Sequence, residues 1–222
     1  MSLLALLKIP MKLSDKVIAL KKCICNSIGH TVTEKPEYPA VFAPGNCRTG
    51  LEVIRRACVD NFPESVRRPS IYSALCMLHQ TISTNGLVCR IHINGSFTTQ
   101  KPEPDDVDVV CEFAFEDIKM VTDSQKHILD WVCEGQKVLN DLCHLFGFVT
   151  YPQDHIFHAH GDHLKNYWLN WFSHSRSGER KGLPFVESQL ICHRILGRRR
   201  ATMQWPKSRP FQRSHSSTWR FR

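Results

Sequence analysis

The segment that most constrains this chain is a pair of strand-like runs joined by a polar loop. Leu87-Val88-Cys89-Arg90-Ile91-His92-Ile93 leads into Asn94-Gly95-Ser96, and after nine intervening residues comes Asp106-Val107-Asp108-Val109-Val110. The runs Leu87–Ile93 and Val107–Phe113 read as strands, with Asn94 to Asp105 as the loop between them. Side chains alternate across a strand, so Val107 and Val109 turn into a core while Asp106 and Asp108 leave the opposite face together. Two neighbouring carboxylates repel each other and cost stability unless cations sit between them. Mg²⁺, or Mn²⁺ in its place, suits such a pair, because carboxylates and substrate phosphates can share its coordination. Gly95 allows backbone to approach a phosphate closely, and the amides and hydroxyl at Ser96 can donate to its oxygens.

The flanking pattern supplies the other elements. A helix is expected from Ser14 to about Asn26, with Val17, Leu20 and Ile24 on one stripe. The proline-containing stretch Thr33–Asn46 reads as a linker or extended arm. Thr49-Gly50-Leu51-Glu52 has the capping-box pattern and should open a helix that stops at Asn61-Phe62-Pro63. Another helix should cover Ser70–Ser83, broken by Asn85-Gly86. Thr122 or Asp123 should cap a long amphipathic helix to about Phe146, with Ile128, Trp131, Val132, Val138, Leu139 and Leu142 as its buried stripe. A short strand at Phe148–Tyr151, a histidine-rich loop and an aromatic helix at Leu164–Phe172 follow, then an apolar patch at Leu183–Ile195. This order predicts an α/β (α+β) fold, a small mixed sheet flanked by helices. It also divides the chain into an N-terminal helix and linker (1–46), a central domain (47–182) and a C-terminal extension (183–222).

Composition narrows the class. With 42% hydrophobic and 23% charged residues, the chain is neither wholly disordered nor fibrous. No apolar run approaches ~18 residues, so no membrane span is expected. Ala5–Leu7 is too short for a secretory signal, and a cytoplasmic protein is the expectation. Lys and Arg total 29 against 21 Asp and Glu, but nine basic residues and no acid lie between Arg194 and Arg222. Removing those nine leaves 20 against 21, so the basicity belongs to the tail. Ten cysteines at wide spacing, several in apolar runs (Cys76, Cys89, Cys133, Cys143), read as small hydrophobes and free thiols. Cys23-x-Cys25 lacks the second pair a zinc site needs.

Strand, Gly95-Ser96, nine residues, then Asp106-x-Asp108 on the next strand resembles the active-site signature of the polymerase-β-like nucleotidyltransferase superfamily. It is most similar to an uncharacterised bacterial and phage-associated group within it. Ala43-Pro44-Gly45, Arg67-Arg68, Asn94-Gly95-Ser96-Phe97, Lys101-Pro102 and the stretch Trp168, Phe172, Arg180, Lys181, Gly182 carry that likeness, roughly from Ala43 to Gly182. The resemblance implies a Gly-Ser turn that holds a nucleoside triphosphate and paired acids that bind metal. It implies transfer of a nucleoside monophosphate to a hydroxyl acceptor (RNA, protein or small molecule), in a setting such as phage defence or a toxin–antitoxin system with a cognate partner protein.

The superfamily usually adds a third carboxylate on the strand after the long helix. Phe148–Tyr151 offers none, which leaves Asp154, just beyond it, as the candidate. Glu112 shares the face of Asp106 but lies ~13 Å beyond Asp108 along the strand. Lys101 is either a triphosphate contact or a solvated loop lysine, and Asp105 has the wrong parity for the pair. Without a third acid, nucleotide binding would outlast catalysis, so the alternative function is a degraded nucleotidyltransferase fold that binds nucleotide, RNA or a partner.

The run Asp154-His155-Ile156-Phe157-His158-Ala159-His160-Gly161-Asp162-His163 admits a zinc hydrolase site, a lining for an acceptor pocket or an ordinary polar loop. Tyr167, Trp168, Trp171 and Phe172 fit core packing, with base stacking as the sharper alternative. The arginine- and aromatic-bearing tail has a composition that buries no core. It could grip RNA phosphates or serve as an irregular extension.

Overall fold

The computed structural model describes residues 36–188. Six strands form one mixed sheet in the order β1-β6-β2-β3-β5-β4: β1 Gly45–Arg48, β2 Cys89–Asn94, β3 Val107–Ala114, β4 Lys137–Val138, β5 Cys143–Thr150 and β6 Gly182–Ser188. Strand β2 is antiparallel to both β3 and β6, whereas β3 pairs with β5, and β1 with β6, in parallel. The helices are α1 Leu51–Arg55, continued by a π-helical turn at Arg56–Asp60, α2 Arg68–Thr84, α3 Phe115–Ile118, α4 Asp123–Cys133 and α5 His158–Phe172. The mixed sheet flanked by helices implied by the element order is the observed architecture. Among the described residues, no helix is long and apolar enough to cross a membrane.

Strand parity sorts the two faces of the sheet. Ile91, Ile93, Val107, Val109, Cys111 and Phe113 are fully buried, in one core with Ile71, Leu75, Leu78 and Ile82 of α2 and Val132 of α4. Those α2 residues recur at spacings of four, three and four, one helical stripe. Each fully buried aliphatic side chain contributes ~1.5–3 kcal/mol relative to exposure. The second face buries Val110, Phe148 and Leu183 with Trp168 and Phe172 of α5. Of the four aromatics of α5, Trp168 and Phe172 are core residues and Trp171 is half exposed.

Several local expectations are corrected. The helix expected to reach Phe146 stops at Cys133, because Gly135 adopts φ +68, the left-handed conformation that commonly ends helices. Leu139, Asn140 and Asp141 are also left-handed; they form the loop joining β4 to β5, where Val138 pairs with Cys143. The strand expected at Phe148–Tyr151 begins at Cys143 instead, since β3 offers a parallel partner from Val107↔Cys143 through Ala114↔Thr150. Thr49 forms no capping box; Gly50 is the N-cap and no side chain caps α1. The capping box lies at α4, where Thr122 and Gln125 bond reciprocally. The last helix starts at His158, so most of the histidine run is helical.

The buried thiols of Cys58, Cys89, Cys111 and Cys143 are free. Burial pushes Cys58, Cys133 and Cys143 up to about 12, so they behave as core hydrophobes. The helix expected at Ser14–Asn26, Cys23, Cys25 and the basic tail lie outside the described residues.

Candidate active site

The site is built where β2 ends and β3 begins. Asn94 closes β2 and pairs in register with Asp108. Gly95 then takes φ +84, and a Cβ placed on it would stand 2.7 Å from Oδ2 of Asp108. Glycine is therefore required twice, by backbone conformation and by the carboxylate packed against it. Ser96–Thr98 form a single 3₁₀ turn. Thr98 Oγ1 donates to the Gly95 carbonyl at 3.1 Å and Thr99 Oγ1 to that of Ser96 at 2.8 Å.

Two consecutive arginines fix the loop that runs from this turn to the aspartates. Arg68 is wholly buried. Its guanidinium donates to the carbonyls of Cys58, Phe97, Thr99, Lys101 and Pro102 at 2.6–3.3 Å, using all five N–H groups. Arg67 donates to the carbonyls of Pro104 and Asp105. The Glu103 carboxylate in turn accepts from the backbone amides of Val66 and Arg67, entering α2. The spacing between Gly95-Ser96 and Asp106-x-Asp108 is thus set by α2.

Each aspartate has a side-chain partner from the neighbouring strands. Lys137 of β4 donates to Asp106 Oδ2 at 2.6 Å, and this bond raises the lysine's pKa. On β5, His144 is the register partner of Asp108, with Nδ1 3.3 Å from Oδ1. Beside Asp108, Asn94 is 7% exposed, and its Oδ1 has no hydrogen-bond partner among the described residues. A buried acceptor left unpaired costs ~1–3 kcal/mol; Ser83 Oγ and His92 Nδ1 are unpaired in the same way among the described residues.

Gly95, Ser96, Asp106 and Asp108 are brought together as expected, and Lys101 and Asp154 are not. The Lys101 ammonium bonds to Asp105, 2.8 Å away. Asp154 follows the far end of β5; from Asp108 to Ala114 the paired strands run six residues, ~20 Å, before Asp154 is reached. His155 lies at that far end, against Phe115 and Tyr151, and His158 bonds the Tyr151 carbonyl. Glu112 sits deeper on the Asp108 face, bonded by His92 at 3.0 Å and Lys165 at 3.2 Å. Burial alone would raise its pKa, but these two partners hold it down at about 2. Asn94 was visible only as part of a motif. Lys137 and His144 carried no sequence signal, because tertiary register alone brings them here.

Among the described residues, no three His, Cys, Asp or Glu side chains are grouped to hold a metal ion. Asp106 and Asp108 supply two carboxylates, a set that suits one hard divalent ion shared with substrate phosphates. On β5, the strand beside β3, the register partner of Asp108 is His144 and not a carboxylate.

The chain is thus a mixed α/β sheet with two carboxylates beside a glycine turn. The chain belongs to a family of unknown function (DUF6932), whose model matches residues 36–187. No curated protein and no solved structure matches it.

Proposed function

We propose that this chain is a nucleotidyltransferase that passes a nucleoside monophosphate from a triphosphate to a hydroxyl acceptor, at the edge formed by Gly95, Ser96, Asp106 and Asp108. The observation that carries this reading is the packing of Gly95 against the Asp108 carboxylate, which joins a phosphate-cradling turn and an acid pair in one rigid unit. The Ser96 amide and hydroxyl serve as donors to phosphate oxygens. Asp106 and Asp108 would hold one Mg²⁺ together with those phosphates, and Lys137 must then release Asp106. That exposed ion pair costs ~0–1 kcal/mol to open. When bound, the ion neutralises phosphate charge and orients the phosphates for in-line attack. The Arg68-held loop keeps the turn and the acids from drifting apart, which is the positioning that phosphoryl chemistry depends on.

His144, and not a carboxylate, in register with Asp108 favours a second reading, a protein that keeps nucleotide without transferring it. One experiment separates the two. Purified protein is incubated with each α-³²P nucleoside triphosphate, Mg²⁺ or Mn²⁺ and total RNA, beside the Asp106→Asn/Asp108→Asn variant. Transfer of label to RNA or protein that the variant abolishes is the expected result. Nucleotide binding with neither label transfer nor pyrophosphate release establishes the second reading.

A further inference from the structure

A cavity of about 160 Å³ opens where β1 and β6 begin and α5 ends, lined by Asn46, Asn170, Ser173, Arg180 and Lys181 among others; β6 runs antiparallel beside β2, so this is the end of the sheet at which β2 reaches Asn94 and Gly95. The cavity has room for about five waters at ~30 Å³ each. Pockets that hold whole drug-sized ligands start at ~300 Å³, so this one suits a single small group.

Lys181 is its distinctive residue. The side chain is mostly buried, and among the described residues no carboxylate lies within ion-pair distance. Burial pushes its ammonium down, while Asp108 and Glu37 pull it up. The backbone is pinned on both sides of it. The Lys181 N–H donates to the Ser173 carbonyl at 2.8 Å, and the next N–H, of Gly182, to that of Phe42 at 3.2 Å. A Cβ on Gly182 would collide with Phe42 and the Ala43 carbonyl, so no other residue fits the crossing that places Lys181. Arg180 is bridged to His174 across the same turn. A largely desolvated cation whose carboxylates stand beyond ion-pair contact is costly. One fixed in place beside a polar cavity is pre-organised for an anion. Lysine as a three-donor point charge and arginine as a planar fork together match phosphate oxygens.

We infer that Lys181, with Arg180, forms a phosphate-binding subsite on the β6 side of Asp108 that receives the terminal phosphates of the nucleotide. The nucleotide as the source of those phosphates rests on the function proposed above; the subsite's preference for polyphosphate does not.

The test is calorimetric titration of the full chain with tripolyphosphate, ATP and adenosine, with and without Mg²⁺, using wild type, Lys181→Met and Arg180→Ala. Wild type should bind tripolyphosphate and ATP but not adenosine. Lys181→Met should weaken both by about tenfold to a hundredfold, the range for a charge-assisted hydrogen bond, and Arg180→Ala by less. The melting temperature of Lys181→Met should stay level or rise, because an unpaired buried charge has been removed; a purely structural lysine would lower it. Polyphosphate binding that ignores both substitutions overturns the inference, as does wild type that binds no polyphosphate in either condition or binds RNA alone. Labelled transfer despite either result would leave the proposed function standing. Lys181-dependent polyphosphate binding without transfer would leave the subsite standing and remove the transferase reading.

Discussion

The two faces of the β2–β3 pair are made by alternate residues of the same two strands and differ in character. Ile91, Ile93, Val107, Val109, Cys111 and Phe113 give one face that is wholly apolar and dry. His92, Asn94, Asp108 and Glu112 give the other, with Val110 the buried apolar residue among them, so polar groups are buried there beside an acid that stays one third exposed. The first face contributes the stability on which the second depends. A fold of this size holds only a modest net stability, of order 5–15 kcal/mol. An orphaned Asn94 oxygen and a closely held acid pair are tolerated because the opposite face is so well packed.

The sharpest way to break this comparison is to move a charge across the strand. Val109→Asp buries an unpaired carboxylate in the dry face and should abolish cooperative folding, whereas Asp108→Val, one residue away, should leave a folded protein; circular dichroism melts of both decide it. Next is Arg68→Met, which orphans five carbonyls at once and should cost ~3–5 kcal/mol in urea unfolding.

Glu112 comes third. Its pKa falls from 4.5 to about 2 on folding, so its stabilisation is present above pH 4.5 and is lost as pH drops through 2. That loss is about 3 kcal/mol, seen as a fall in urea midpoint between pH 5 and 2 that Glu112→Gln flattens. The smallest stability effect belongs to Asp106→Asn. It removes only the ion pair to the half-exposed Lys137 and should cost under ~1 kcal/mol, while nucleotide transfer falls by orders of magnitude.

Strand parity made the two faces legible in the sequence: Val107 and Val109 inward, Asp106 and Asp108 together, Gly95-Ser96 at the turn. The apolar spacing of α2 was equally plain. What could not be read was partnership across the sheet. Val138, Leu139 and Leu142 keep helical spacing, so the helix overran into β4 and β5, although Gly135 was a stop signal in view. With the strand started too late, Asp154 stood in for a third acid and His144 went unnoticed. Lys137 and Lys181 sit 29 and 73 residues from Asp108 in the sequence, and only the order of the strands brings them to its end of the sheet. The close crossing at Gly182 was not readable either, because it depends on Phe42 and Ala43 packing against that glycine.

In the function proposed above, the polar face holds a nucleoside triphosphate over Asp106 and Asp108. The most direct measurement is equilibrium binding of each of the four nucleoside triphosphates across a Mg²⁺ titration, for wild type and Asp106→Asn/Asp108→Asn at matched thermal stability. The account predicts binding that strengthens with Mg²⁺ in the wild type and loses that Mg²⁺ dependence in the double variant. Wild type that binds none of the four, or a double variant that binds with unchanged Mg²⁺ dependence, would contradict it.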